Sequence, residues 1–126
     1  MKRDMDLIRE LLLAIERSDD GSGASINVRV SGYSEAQVVD HLFQLHERGF
    51  IDGVDVSHMN GRAFLPIRVT SYGHDFLDSV RDPEIWRKTK DGAKAAGGFT
   101  VELLAELAKG FIKTQIKRQT GIEIQV

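Results

Sequence analysis

Residues 34–70 read SEAQVVDHLFQLHERGFIDGVDVSHMNGRAFLPIRVT, and this stretch decides the fold. Ser34 is a suitable N-cap for a helix, because the apolar residues that follow it recur at helical spacing. Gly49 is typical of a residue that ends a helix. The remaining residues are apolar on both sides of Asn60-Gly61, the strongest short signal for a two-residue hairpin turn. The stretch therefore predicts one helix and then a β-hairpin.

The register of this hairpin follows from the position of its turn. If Asn60-Gly61 form a type I′ turn, positions that sum to 121 face each other across the two strands. Two pairs of apolar residues then lie on one face, which supports this register. These pairs are Val56 with Leu65 and Val54 with Ile67.

The N-terminal residues predict a helix, a polar loop and a short strand. Asp4 can cap a helix that runs to about Arg17, because its apolar residues fall on one face. Residues 18–23 read SDDGSG, which is typical of a polar loop. Residues 26–30 read INVRV and alternate between apolar and polar, so they are predicted to form a strand.

Three more helices are predicted after the hairpin. Thr70 can cap the first of them, and Asp82-Pro83-Glu84 supplies a cap, a first-turn proline and a first-turn acid for the second. Gly97-Gly98 interrupts the chain, and the last helix is predicted from Thr100 to about Arg118. The predicted elements define an α+β fold.

Composition limits the class of protein. The chain has 126 residues, of which 41% are hydrophobic and 29% charged, as in ordinary soluble domains. It has no cysteine, so disulfides and thiolate metal sites are excluded. No stretch approaches the roughly 18 apolar residues that a membrane span needs. We expect a cytoplasmic protein without a membrane partner.

Charge is unevenly distributed along the chain. Residues 1–84 contain 9 Lys/Arg and 15 Asp/Glu, whereas residues 85–126 contain 8 Lys/Arg and 4 Asp/Glu. Such asymmetry between segments often reflects the partners of a protein. The acidic part holds the predicted hairpin, and the basic part holds the predicted last helix.

Several segments carry a resemblance to known families. SEAQVVDHLFQLHERGFI resembles the recognition-helix segment of winged-helix transcriptional regulators, and VTSYGHDFL looks like the Leu-Thr-x-x-Gly helix start that follows their wing. MKRDMDLIRELLLAIE, GYSEAQVVDHL, TSYGHDFLDSVRDPEIWRKTK and GGFTVELLAELAKGFIK are similar to a bacterial and prophage family, domain of unknown function 2513. The resemblance implies a winged-helix-like fold and a bacterial or phage setting, and it supplies no activity.

Together these observations predict one winged-helix-like domain with additional C-terminal helices. Residues 1–82 would hold a helix, a short strand, a recognition-type helix and a β-hairpin wing. Residues 83–126 would form a helical extension packed on that domain, in a single compact unit. One departure from the regulators is that residues 18–33 replace their separate supporting helix with a loop and a strand.

The predicted recognition-type helix suggests a DNA-reading face. Gln37, His41 and Gln44 would form an exposed stripe, and glutamine can bond an adenine edge in the major groove. Arg48 at the end of the helix and Arg62 beside the turn would contact phosphate or the minor groove. The alternative is a solvated or protein-contacting surface, since Asp40 and Glu47 flank the stripe and DNA affinity rests largely on cations.

The last helix is the basic element of the chain. Lys109, Lys113 and Lys117 repeat every four residues, with Arg118 and cations of the preceding helix beside them. They would contact phosphates, or simply form the solvent face of an amphipathic helix. Winged-helix proteins often pair through terminal helices, so the resemblance implies a homodimer through this helix.

No residue pattern indicates catalysis, a cofactor or a metal. His74 and Asp78 have a spacing that suits a metal, but two ligands are too few. His46 falls among the inward positions of its helix and is expected to be partly buried. We therefore expect a small, non-enzymatic bacterial or prophage protein that acts as a DNA-binding transcriptional regulator. The alternative is a protein–protein interaction module on a winged-helix scaffold that does not bind DNA.

Overall fold

The computed structural model describes residues 1–122, which form five helices and one two-stranded antiparallel sheet. The elements in chain order are α1 Met5–Ser18, α2 Glu35–Glu47, β1 Ile51–Asp55, β2 Phe64–Val69, α3 Ser71–Val80, α4 Pro83–Ala95 and α5 Val101–Thr120. The α+β class predicted from the sequence is confirmed.

The chain divides into two compact units, Met1–Leu77 and Asp78–Val126. The first contains α1, α2, the sheet and most of α3, and the second contains α4 and α5. The boundary at residues 82 and 83, and the packing of the extension on the first domain, stay predictions.

The helices begin where side chains can cap them. The Asp4 carboxylate accepts a hydrogen bond from the Leu7 N–H, and the Thr100 hydroxyl accepts one from the Leu103 N–H. At α4, the Asp82 carboxylate accepts two main-chain N–H groups of the first turn. The helix starts predicted from the sequence are therefore confirmed, because a local cap fixes each of them.

The first unit buries a core between α1, α2 and the sheet. One face of α1 enters this core, as its spacing of apolar residues predicts. Phe50 follows α2 and stacks on Phe76 of α3, with ring centroids 5.2 Å apart. The fully or nearly fully buried side chains of this core include Leu7, Leu11, Leu12, Ile15, Leu42, Leu45, Phe50, Ile51 and Val69.

The strand predicted at residues 26–30 is wrong. This segment has no regular secondary structure, although the Ile26 N–H donates a hydrogen bond of 2.8 Å to the Pro66 carbonyl of β2. A third strand would need donors as well as acceptors along the edge of β2, and Pro66 has no N–H to donate. The alternation is seen only in the burial of the side chains. Ile26 is buried and Val28 and Val30 are half-buried, whereas Asn27 and Arg29 are exposed.

The predicted hairpin exists, but its predicted register is wrong. His58 and Gly61 exchange two main-chain hydrogen bonds, so Met59 and Asn60 lie at the centre of the turn. Val54 therefore pairs with Leu65, two positions from the predicted register. A type I′ turn needs positive φ at both central residues, which neither Met59 nor Asn60 has.

The core-facing side of β2 carries Phe64 and Pro66, both buried. Val54 and Leu65 lie on the opposite side and are 50% and 39% exposed. Residues 63–67 read AFLPI, apolar on both faces, so alternation alone could not select the inner one. The apolar side chains of Val54 and Leu65 thus remain on the surface of the hairpin.

In the second unit, α4 and α5 pack against each other. Gly92 of α4 faces Leu107 of α5, and a Cβ at this position would lie in ordinary van der Waals contact with the Leu107 side chain, at 3.4 Å. Gly121, with φ of 73°, ends α5 in the left-handed conformation, and its N–H donates to the Lys117 carbonyl. The buried side chains of α4 and α5 are Ile85, Trp86, Thr89, Ala93, Val101, Leu104 and Ala108.

Candidate functional site

The first predicted reading residue, Gln37, takes part in the start of α2. Its side-chain oxygen accepts the Ser34 N–H at 2.8 Å, and its own N–H donates to the Ser34 hydroxyl at 3.2 Å. This reciprocal arrangement is a capping box. The amide oxygen of Gln37 therefore already has a donor within the protein.

The prediction that His41 points outward is wrong, since its side chain is only 1% exposed. The Asp4 N–H donates to its Nε2 at 2.9 Å, and its Nδ1 lies 2.8 Å from the Gln37 carbonyl oxygen. With Nε2 as acceptor, Nδ1 carries the proton and donates. The imidazole thus fastens the N-terminus of α1 to α2.

Tyr33 extends this network toward the surface. Its hydroxyl donates to the Asp4 carboxylate at 3.2 Å, and the same carboxylate oxygen caps α1. Burial raises the pKa of the Tyr33 phenol, and the negative charge of Asp4 raises it further. The contacts of His41, Asp4 and Tyr33 hold the start of α1 against α2, which is a structural role.

The next predicted reading residues, Gln44 and Arg62, both bind Asp40. The Gln44 amide donates to one carboxylate oxygen at 2.7 Å, and the Arg62 guanidinium lies 3.4 Å from the other. Arg62 also lies over the Phe43 ring, 4.3 Å from its centroid. Arg62 therefore folds back onto α2 from the base of the turn, a contact that the sequence reasoning missed because Phe43 was not considered.

His46 also differs from its prediction. It is exposed and lies beside Phe64, with ring centroids 5.1 Å apart, so its predicted partial burial is wrong. The apolar stripe of α2 is rotated from the one expected: it includes His41 and leaves His46 outside. Arg48 is exposed at the C-cap of α2, where its N–H donates to the Gln44 carbonyl.

The predicted basic residues of α5 lie on two different sides of that helix. Lys109, Lys113 and Lys117 follow one side, with Lys109 4.0 Å from Glu106. At about 100° per residue, Arg118 falls on roughly the opposite side. Arg118 lines a groove with Lys88 of α4, so it does not extend the lysine row.

A larger groove lies in the first unit, which we call the α2–β2 groove. It encloses about 640 Å³ between the segment of residues 26–33, helix α2 and strand β2. Its walls carry polar and apolar surface in nearly equal parts, and its α2 wall is formed by Glu35, Val38, Val39 and Leu42. The β2 wall includes Phe64 and Pro66.

The segment that borders this groove has main-chain groups that pair with no residue of the described part of the chain, residues 1–122. Ile26 donates to Pro66, and the Val30 carbonyl accepts the Tyr33 N–H at 3.3 Å. Between them, residues 27–29 form no hydrogen bond with any residue that the structure describes. Asn27 and Arg29 are exposed, whereas Val28 and Val30 are half-buried. The segment has the side-chain pattern of a strand without its pairing.

Residues 1–122, which the structure describes, contain no group of three or more His, Asp or Glu side chains arranged to hold a metal ion. None of their helices is both long and apolar enough to cross a bilayer.

Comparison with known proteins places the chain in a family. The model of the family described as "Hypothetical protein (DUF2513)" matches residues 2–99, which run from α1 to just beyond α4. An "Uncharacterized protein" of Haemophilus influenzae (strain ATCC 51907 / DSM 11121 / KW20 / Rd) is 26% identical over 117 residues, covering 92% of this chain and 99% of that protein. No solved structure matches the chain. The protein belongs to the DUF2513 family.

Proposed function

We propose that the protein is a non-enzymatic protein-interaction module on a winged-helix-like scaffold. In this function, the α2–β2 groove takes up an extended strand of a partner. The observation that carries the proposal is the main chain of residues 27–29, which has no hydrogen-bond partner within residues 1–122, beside a groove lined by both apolar and polar side chains. The succession of two helices and a hairpin supports the winged-helix-like scaffold.

A strand is the occupant that suits this groove chemically. An added strand gains affinity from main-chain hydrogen bonds and specificity from alternate side chains. Residues 27–29 offer main-chain donors and acceptors, and the half-buried Val39 of the α2 wall can contact apolar side chains. A helix would leave the main-chain groups of the segment unused, because its own are already paired.

The state of the predicted DNA-reading face also favours a protein partner. His41 is buried, Gln37 closes the capping box, and Gln44 and Arg62 both bind Asp40. Reading a base edge from this face would first require these contacts to break. Their loss costs about 1 kcal/mol for each ordinary hydrogen bond.

Selection from a random peptide library displayed on phage tests the proposal. We expect the full chain to enrich peptides in which apolar residues alternate with polar ones. Val39→Glu places a charge in the groove and should abolish the enrichment. Ala36→Glu is the matched control, because Ala36 is exposed on the same helix and does not line the groove.

Three results would contradict the proposal. The selection could enrich no peptide, it could enrich peptides without apolar alternation, or Val39→Glu could leave it unchanged while the variant remains folded. Circular dichroism of both variants establishes whether they fold, so that a loss of binding is not confused with unfolding.

A DNA-binding transcriptional regulator is the second candidate, and the charge of α5 supports it. Between Leu107 and Ile122 the chain has four cations and no acid, so this end of α5 suits a phosphate backbone. Arg62 would then break its contact with Asp40 and bind DNA, so that Arg62 anchors the hairpin there. We expect the protein to retain genomic DNA fragments that share a defined motif at about 50 and 200 mM salt. The Arg62→Ala variant should lose this enrichment. No retention at either salt would exclude it.

A further inference from the structure

We infer that residues 122–126 of a second copy of this chain are the strand that enters the α2–β2 groove. This inference rests on the proposed function and names the partner of the same groove. The protein would then assemble with itself by exchanging C-terminal segments.

The sequence of the C-terminal segment has the required pattern. Gly121 ends α5, and the next five residues read IEIQV. Their apolar members, Ile122, Ile124 and Val126, occupy alternate positions and are all β-branched, as is typical of strands. Ile122, the first of them, is 62% exposed. This segment needs an apolar surface to cover one side, and the groove offers one.

The charges of the two segments are complementary in an antiparallel register. When Val28 faces Ile124, the exposed Arg29 faces Glu123, and Asn27 faces Gln125. Opposite charges that face each other across two strands stabilise the pairing, and like charges destabilise it. Arg29 has no ion pair within residues 1–122. The same register places an apolar residue opposite each apolar residue of the bordering segment.

A second copy is favoured because α5 carries a further apolar row just before this segment. Ile112 and Ile116 lie one turn apart on α5 and are only half-buried. A copy that accepts residues 122–126 would meet these side chains as well. Reciprocal exchange around a two-fold axis satisfies both copies with the same contacts and closes the assembly as a dimer.

Analytical ultracentrifugation of the full chain tests the inference. We expect a reversible dimer. Ile124→Lys replaces an apolar side chain that enters the groove and should raise the dimer dissociation constant by at least about tenfold, since burying one isoleucine contributes that much. Gln125→Lys is the control with the same added charge on the solvent side, and it should leave the dissociation constant within about threefold.

A charge exchange then tests the register. Arg29→Glu and Glu123→Arg should each weaken the dimer by about tenfold, because each changes two symmetry-related pairs. The double variant restores both pairs with reversed charge, so its dissociation constant should return close to that of the unchanged protein.

The outcomes separate this inference from the proposed function. A monomer at all concentrations, or a dimer that Ile124→Lys leaves intact, overturns the exchange between copies. Double-variant dimers as weak as those of the single variants overturn the antiparallel register. The peptide selection is independent of these results, because it asks only whether the groove binds strands. Failure of the selection with an intact exchange dimer would overturn the proposed function as a module for partner proteins and leave the exchange between copies standing.

Discussion

The imidazole of His41 lies between the start of α1 and the first turns of α2, with a hydrogen bond on each ring nitrogen. Its partner, the Asp4 N–H, is 37 residues away along the chain. Position 41 stands at the margin of the apolar stripe of α2, so spacing alone could not decide whether it points inward. Only the tertiary partner makes a buried histidine favourable at that position.

Replacing His41 tests this structural role. His41→Leu fills the space but leaves the Asp4 N–H without its acceptor, so we expect the free energy of unfolding to fall by about 1–3 kcal/mol. His46→Leu changes an exposed histidine of the same helix and should alter it by less than about 0.5 kcal/mol. Urea denaturation followed by circular dichroism measures both. Equal changes in the free energy of unfolding for the two variants would contradict the structural role assigned to His41.

Tyr33 makes a prediction about alkaline pH. Its phenol has a raised pKa in the folded protein, so the fold favours the protonated form. The stability that Tyr33 contributes is therefore fully present below its unfolded pKa of about 10 and is lost as pH rises through the raised value. The difference in urea midpoint between the unchanged protein and Tyr33→Phe should shrink above about pH 10. A difference that stays constant would contradict the network.

At the scale of an element, the start of α3 has one position, Gly73, where the packing requires glycine. Thr70 donates its hydroxyl hydrogen to the Gly49 carbonyl and accepts the Gly73 N–H, so it joins the end of α2 to the start of α3. A Cβ on Gly73 would lie 2.1 Å from the Phe50 carbonyl oxygen. The Thr-x-x-Gly pattern thus reflects a close approach between α3 and the strand that begins the hairpin.

Substitution of this glycine should be costly. Gly73→Ala forces α3 away from Phe50, and we expect a loss of about 2–4 kcal/mol in the free energy of unfolding, comparable to other core overpacking and strain. Gly110→Ala is the matched control in α5, where a Cβ meets nothing within 4 Å. It should gain up to about 1 kcal/mol from helix propensity. A neutral Gly73→Ala would show that the approach is not close.

Helices were predictable from the sequence to within about two residues, because their caps and their spacing are local signals. The hairpin shows the limit of such signals. Asn60-Gly61 located the turn region, but contacts from outside the strands determine which face is buried. Phe64 packs beside Phe43 and His46 of α2, and that packing was not visible in the alternation of the strand. The register error of two positions has the same origin.

At the scale of the whole molecule, the charge asymmetry admits a simple physical account. At the ends of α5, Glu102 lies in the first turn, and Lys117 and Arg118 lie in the last turn. This order matches the helix dipole, which favours acids at the start and bases at the end of a helix. The cations of the last turn therefore have a structural role that does not require a phosphate partner.

The candidate groove could be predicted only in part. The alternation of residues 26–30 indicated a strand, and the structure retains the pattern of a strand while leaving its main chain unpaired. The groove beside it depends on α2 and β2 coming together around Pro66, which one sequence read in order does not reveal. The strand-like side-chain pattern of this segment was thus indicated by the sequence, but its lack of main-chain pairing within residues 1–122 was not.

We propose that the main chain of residues 27–29 pairs with an extended strand of a partner. Amide hydrogen exchange measured by NMR tests it, on the full chain diluted to the monomer, with and without a saturating peptide from the display selection. We expect the amides of residues 27–29 to exchange rapidly alone and at least about tenfold more slowly with the peptide, as paired strand amides do. Slow exchange without peptide, or rapid exchange with it, would contradict the account.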